Sequence, residues 1–197
     1  PYGLWFNGSG VLGATPEVLF SVSEGKITSM ALAGTAPAEE IQALKSNRKE
    51  IHEHQIVVED ISSRLKSFGW VRQEATKAVK VGAMAHLRTE MSVATNKPEV
   101  LKLINLLHPT AALGVYPKNY GVRWLQDLPY QKQRGIFGGP LLFPLSKTES
   151  ICLVAIRCLQ WSSEGSQVGT GCGIVRESHQ SNEWEELNLK RKSIFKI

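Results

Sequence analysis

Two pairs of carboxylates are spaced for shared chemistry, Glu50 with Glu53 and Glu183 with Glu186. Residues three apart on a helix project to the same side. The first pair falls in a stretch where Leu44, Ile51, Val58 and Leu65 recur every seven residues. At about 100° per residue, Glu50 lies about 90° and Glu53 about 150° from the centre of that stripe. Glu50 is therefore expected at the edge of the buried face, and Glu53 toward solvent or an open cleft. Lys190 follows Glu186 by four residues. Two such faces brought together would surround a small hard cation. Mg²⁺ takes few protein carboxylates, keeps waters and bridges to an anionic substrate. The same spacing also describes surface acids with an intrahelical Glu–Lys pair, and the pattern alone leaves both readings open.

Other groups carry weaker signals. In Gly13-Ala-Thr-Pro-Glu17, Pro16 fixes a turn and Glu17 leaves an apolar strand edge. A half-buried carboxyl of this kind keeps its proton near neutral pH and can act as an acid; a turn-exposed Glu would look the same. His52 and His54 are about 160° apart on a helix and cannot share a metal. The histidines are read as structural. Gly169-Thr-Gly-Cys-Gly173 could hold a carboxylate through backbone N–H groups, but it is not a dinucleotide fingerprint. Cys152, Cys158 and Cys172 are odd in number and lack CxxC spacing, so reduced thiols are expected rather than a disulfide framework or zinc site.

The chain has 23 Lys plus Arg against 18 Asp plus Glu, a formal charge of +5. That suits a small anion, and without basic clusters interleaved with aromatics no nucleic-acid partner is expected. No apolar run approaches membrane-spanning length and no signal peptide is visible. A cytoplasmic protein is the expectation.

The elements that must position these groups form one α+β domain over residues 1–197, with antiparallel sheets and long helices packed on them. Tyr2–Phe6, Val18–Ser23, Lys26–Ala33 and Val79–Leu87 read as strands, with Asn7-Gly-Ser-Gly10 a turn and Gly34-Thr-Ala-Pro37 a break. A continuous helix is predicted from about Glu39 to Phe68, a second over Pro98–Leu107 with Asn96 near its cap, and a short one near Tyr120–Gln126. Glu149–Trp161 and Gln167–Val175 read as a hairpin around Ser162–Gly165. A last helix is predicted from about Asn182, with Glu185 completing a capping box.

Taken together, these segments resemble the chorismate-utilising enzymes. Gly13-Ala-Thr-Pro-Glu17, Ala31-Leu-Ala-Gly-Thr35, Glu53-His-Gln-Ile-Val-Val-Glu-Asp60, Ala85-His-Leu87 and His108-Pro-Thr-Ala-Ala112 are similar to family motifs. Arg134-Gly-Ile-Phe-Gly-Gly-Pro140, Ala155-Ile-Arg157, Gly171-Cys-Gly-Ile-Val175 and Glu183-Trp-Glu-Glu186 with Lys190 follow in the family's order. The menaquinone-type isochorismate synthases look closest, through Val57-Val-Glu-Asp-Ile61 and Gly173-Ile-Val-Arg176. The resemblance implies the anthranilate synthase large-subunit-like fold and conversion of chorismate to isochorismate, without an obligate glutamine amidotransferase. It implies Glu17 as general acid, and Mg²⁺ held by Glu53 and Glu186 with Glu50 and Glu183 in support. It places Gly34, Thr35, His86, Ala112, Phe137, Arg157, Gly171, Gly173 and Lys190 around the substrate, Arg157 and Lys190 on its carboxylates.

Four departures stand out. The family's general base is a Lys on a strand well before the Pro-Glu motif, and no Lys precedes Glu17 here. Phe137 stands for the usual Tyr, Val115 for a Gly and Cys172 for an Ala. The chain is thus expected to be the C-terminal portion of the enzyme, its base upstream of Pro1. A truncated, non-catalytic chorismate-binding domain is the alternative reading, and an aminating anthranilate or aminodeoxychorismate synthase component a further one.

Overall fold

The structure, a computed structural model, describes residues 1–96 and 98–195. In chain order the strands are β1 (Tyr2–Phe6), β2 (Ser9–Gly13), β3 (Val18–Ser23), β4 (Lys26–Pro37), β5 (Arg72–Gln73), β6 (Lys77–Val81), β7 (Met84–Ala94), β8 (Pro140–Pro144), β9 (Ser150–Val154), β10 (Cys158–Ser162) and β11 (Gly165–Val168). The helices are α1 (Ile41–Leu44), α2 (Arg48–Leu65), α3 (Val100–Leu107), α4 (Lys118–Asp127) and α5 (Gln180–Ile194). All strand pairings are antiparallel. One sheet runs β1-β2-β10-β11, and the other β5-β7-β4-β3-β9-β8 with β6 also on β7. The expected α+β architecture of antiparallel sheets under helices is what the chain adopts.

Strand alternation builds the main core. Ile27, Ser29, Ala31 and Ala33 of β4 point inward in turn, as a period of two requires. They meet Val57, Ile61 and Leu65 of α2 and Leu103 and Leu107 of α3. Smaller clusters form around Tyr2, Val11, Ala155 and Cys158, and around Leu44, Ala85 and Leu87.

The expected helix over 39–68 divides. Asn47 is the reason: its side chain accepts hydrogen bonds from Lys49 N (3.1 Å) and Glu50 N (3.3 Å), which starts α2 at Arg48. Leu44 therefore belongs to the separate α1, and the buried face of α2 carries Glu50, His54, Val57, Asp60, Ile61 and Leu65. Three further expectations change. Residues 79–87 form a hairpin turning near Gly82, not one strand, because Gly82 takes φ +59°. The segment 149–161 breaks at Arg157 (φ +53°), where the chain passes from the large sheet to the small one. Residues 169–175 form no strand. Neither Asn96 nor Asn182 caps a helix; Glu99 and His179 precede α3 and α5 without side-chain caps. The Gly34 break is a bulge inside β4, which continues to Pro37.

Candidate active site

Two strand crossings between the sheets lie side by side. Residues 14–17 lead from β2 to β3, and 155–157 lead from β9 to β10. Ala14 N donates to Arg157 O (3.2 Å), and Val154 N to Glu17 O (3.2 Å). Glu17 and Arg157 are both buried at these crossings. Burial raises the Glu17 carboxyl to about 7, against the opposing pull of the Lys190 charge. The Arg157 guanidinium donates to Ser193 Oγ on α5 (2.7 Å) and touches Met84 Sδ (3.7 Å). Burial disfavours its charge, which Glu186 partly compensates. Among the described residues no carboxylate comes within 4.0 Å of Arg157, so its buried guanidinium has no ion-pair partner and suits an anion.

The carboxylates come from α2 and α5. On α5 the buried residues are Glu183 and Glu186, so its covered face is acidic rather than apolar. Carboxylates are rarely buried unless paired. Lys49 Nζ lies 3.0 Å from Glu50 Oε1, Glu53 Oε2 and Glu183 Oε1. Burial alone would lower the Lys49 ammonium, but Glu53, Glu183 and Glu50 hold it well above the ordinary lysine range. Lys190 pairs with Glu186 and donates to Gly171 O (2.7 Å). Burial raises the Glu186 carboxyl, with Glu53 adding to the shift and Lys190 opposing it. Glu183 Oε2 and Glu186 Oε1 are buried without a hydrogen-bond partner, although Glu186 Oε1 is the atom that meets Lys190 as an ion pair.

Loops close the site at glycines that stand against its carboxylate helix α2. A Cβ on Gly173 would stand 2.3 Å from Glu53 Oε1, so this loop covers the face of Glu53 that helical geometry turned away from the core. Gly34 takes φ +74°, and a Cβ there would stand 2.8 Å from Glu50 O. The resulting bulge frees Thr35 N from the ladder to donate to Glu50 Oε2 (2.7 Å). His86 Nδ1 sits 3.2 Å from Thr35 Oγ1 and 3.3 Å from Gly34 O, while Nε2 is buried and unpartnered. Burial and the charges of Arg157 and Lys190 lower His86 to about 4, so the ring is neutral at pH 7. His54 is likewise lowered to about 4 by burial and bonds Thr89 Oγ1 (2.7 Å), the structural role expected of it.

Glu17, Gly34, Thr35, Glu50, Glu53, His86, Arg157, Gly171, Gly173, Glu183, Glu186 and Lys190 are thus linked by direct contacts or by charge. Phe137 flanks this group: the tip of its ring lies 4.0 Å from where a Cβ on Gly171 would stand. Ala112 packs half-buried against the main core instead. Three features escaped the sequence reading. Lys49 stands four residues before Glu53, which on paper is an ordinary helix-surface pair. Ser193 fixes Arg157. Asp60 pairs with Arg64 and accepts from Ala111 N (2.8 Å), while Arg64 Nη1 donates to the carbonyls of Leu106, Leu107 and Pro109, so this pair holds the 108–112 loop. A separate cavity of about 740 Å³ lies along Trp5, Phe6, Ile136 and Trp161, but Glu164 is its one charged lining residue.

The donor set suits a divalent cation in charge and type. Four carboxyl groups gather around two ammonium groups, and oxygen ligands suit a hard ion. The orphaned Glu183 Oε2 is a free donor atom there. Among the described residues no three acidic, His or Cys side chains already converge at ligand distance, because the ammonium groups stand between them.

The model of the chorismate binding enzyme family matches residues 3–197. The salicylate biosynthesis isochorismate synthase of Pseudomonas aeruginosa is 32% identical over 190 residues, covering 91% of this chain and 40% of that protein. A putative 2,3-dihydroxybenzoate-specific isochorismate synthase from Bacillus anthracis superposes with TM-score 0.84 at 26% identity, over 98% of this chain and 56% of that one. The menaquinone-specific isochorismate synthase from Escherichia coli does so with TM-score 0.80 at 25% identity, over 95% and 45%. The chain spans about half the length of these relatives. With a family model matched almost end to end and the same fold in solved relatives, the chain belongs to the chorismate binding enzyme family.

Proposed function

We propose that this chain forms the chorismate-binding and acid-donating part of a Mg²⁺-dependent isochorismate synthase. One observation carries the reading: a carboxyl that keeps its proton to about pH 7 is buried within reach of the Lys190 charge, and the buried Arg157 lies at the adjoining strand crossing. Chorismate is a dicarboxylate whose C4 hydroxyl must leave as water adds at C2. The hydroxyl leaves as water only if it is protonated, and an acid with a pKa near the working pH does this best. Glu17 supplies that proton. Arg157, a planar fork fixed by Ser193, takes one carboxylate. Lys190 and the Gly171 and Gly173 amides face the other. Neutral His86 and Thr35 offer hydrogen bonds without adding charge.

Mg²⁺ held by Glu53 and Glu186, with Glu50 and Glu183 behind them, would neutralise the ring carboxylate. The base that activates the attacking water is assigned to no residue of this chain. Water is the nucleophile, so no glutamine amidotransferase is invoked. Val57-Val-Glu-Asp-Ile61 and Gly173-Ile-Val-Arg176 favour the menaquinone branch among pathways that use isochorismate. No helix among the described residues is long and apolar enough to cross a membrane.

The test is chromatography of the ring products after the protein, in its complete natural reading frame, is incubated with chorismate, Mg²⁺ and ammonium ion. Isochorismate as the product supports the proposal. Anthranilate or aminodeoxychorismate would place the protein among the aminating relatives, and unchanged chorismate would leave a binding domain.

A further inference from the structure

An ammonium has three N–H donors, and those of Lys49 face three carboxylates at 3.0 Å, on Glu50, Glu53 and Glu183. Lys49 therefore stands among the oxygens that a metal would need. The second oxygen of the same Glu183 carboxylate is buried and without a hydrogen-bond partner. Lys49 is not sealed in: its side chain keeps 16% of its exposure, and its four-carbon stem is flexible. A hard divalent ion binds carboxylate oxygens at about 2.1 Å. It could not do so here with an ammonium on the same atoms, because the two cations would be close neighbours of like charge.

We propose that Lys49 is a built-in counter-cation, which holds Glu50, Glu53 and Glu183 in place in the metal-free protein and swings to solvent when a divalent ion enters. This rests on the divalent-cation part of the function proposed above. Two consequences follow. The metal competes with a tethered cation, so its affinity is set below what the carboxylates alone would give. The metal-free site stays ordered, because removing one partner from a buried ion pair leaves its carboxylates uncompensated.

The experiment pairs titration calorimetry with amine labelling, using Mg²⁺ as the probe. Lys49→Gln should bind Mg²⁺ about tenfold more tightly than the wild type. In the wild-type protein, saturating Mg²⁺ should raise the labelling rate of Lys49 at least threefold, read by peptide mass spectrometry against exposed Lys66. The labelling arm needs no variant, so a Lys49→Gln chain that fails to fold leaves it decisive. If Mg²⁺ binds but Lys49 labelling does not change, the counter-cation is not displaced and the inference is overturned. Equal or weaker affinity in Lys49→Gln overturns it too. If neither protein binds Mg²⁺, the divalent-cation reading itself has failed, and this inference falls with it.

Discussion

Replacing Glu17 by Gln keeps the shape of the side chain and removes its titration. In the folded chain the carboxyl holds its proton to about 7, against an ordinary value of 4.5, because burial penalises the charged form. Between these values the folded state binds more protons than the unfolded state. Stability therefore falls as pH rises from about 4.5 to about 7, and the full cost persists above. A shift of this size corresponds to about 3 kcal/mol, at about 1.4 kcal/mol per pH unit. Glu17→Gln cannot ionise and avoids that cost. The stability difference, variant minus wild type, should grow by about 3 kcal/mol between pH 4.5 and 7.5, whatever constant offset the amide brings. Urea unfolding of both proteins at half-unit pH steps measures it. In the complete enzyme the same variant should lose roughly 10²–10⁴-fold in turnover with substrate binding largely kept. A stability difference that stays flat across this range would mean that Glu17 titrates as an exposed carboxylate. The acid role would then be refuted.

Three further substitutions probe how the site is held. Gly173→Ala puts a methyl 2.3 Å from Glu53 Oε1, the mobile end of a side chain; thermal unfolding should change little while Mg²⁺ affinity by calorimetry falls at least tenfold. Gly34→Ala meets the Glu50 carbonyl at 2.8 Å in a left-handed conformation, where neither backbone can yield cheaply; a loss of about 2 kcal/mol or more is expected in urea unfolding. Asp60→Ala strands Arg64 and the Ala111 amide; it should cost about 3–5 kcal/mol, and proteolysis should begin in the freed 108–112 loop.

Some of this was legible in the sequence and some was not, for physical reasons. The i, i+3 spacing placed Glu50 with Glu53 and Glu183 with Glu186 correctly on two helices, because that relation is local. Helical geometry also gave Glu50 at the buried edge, and it is buried in the fold. The role of Lys49 was hidden, since its third partner, Glu183, is distant in sequence and only packing brings it near. The heptad of Leu44, Ile51, Val58 and Leu65 suggested one helix. A single Asn47 side chain, competing for backbone N–H groups, outweighed that periodicity. The stretch from Glu149 to Trp161 reads as one strand because apolar residues continue from β9 into β10 with only Arg157 between them. Only the left-handed backbone at Arg157 shows where it changes sheets, and an Arg gives no warning of positive φ. Gly34 reads in sequence as a break, whereas in the fold it is a bulge that turns Thr35 N toward Glu50.

The most direct test is calorimetric titration of chorismate into this chain, with and without Mg²⁺, alongside Arg157→Ala and Glu186→Gln. Saturable chorismate binding that requires Mg²⁺ and is lost in both variants is the expected result. Binding of equal strength without Mg²⁺, or unaffected by either variant, would contradict a site in which a buried guanidinium and a carboxylate-held cation share the substrate's two carboxylates.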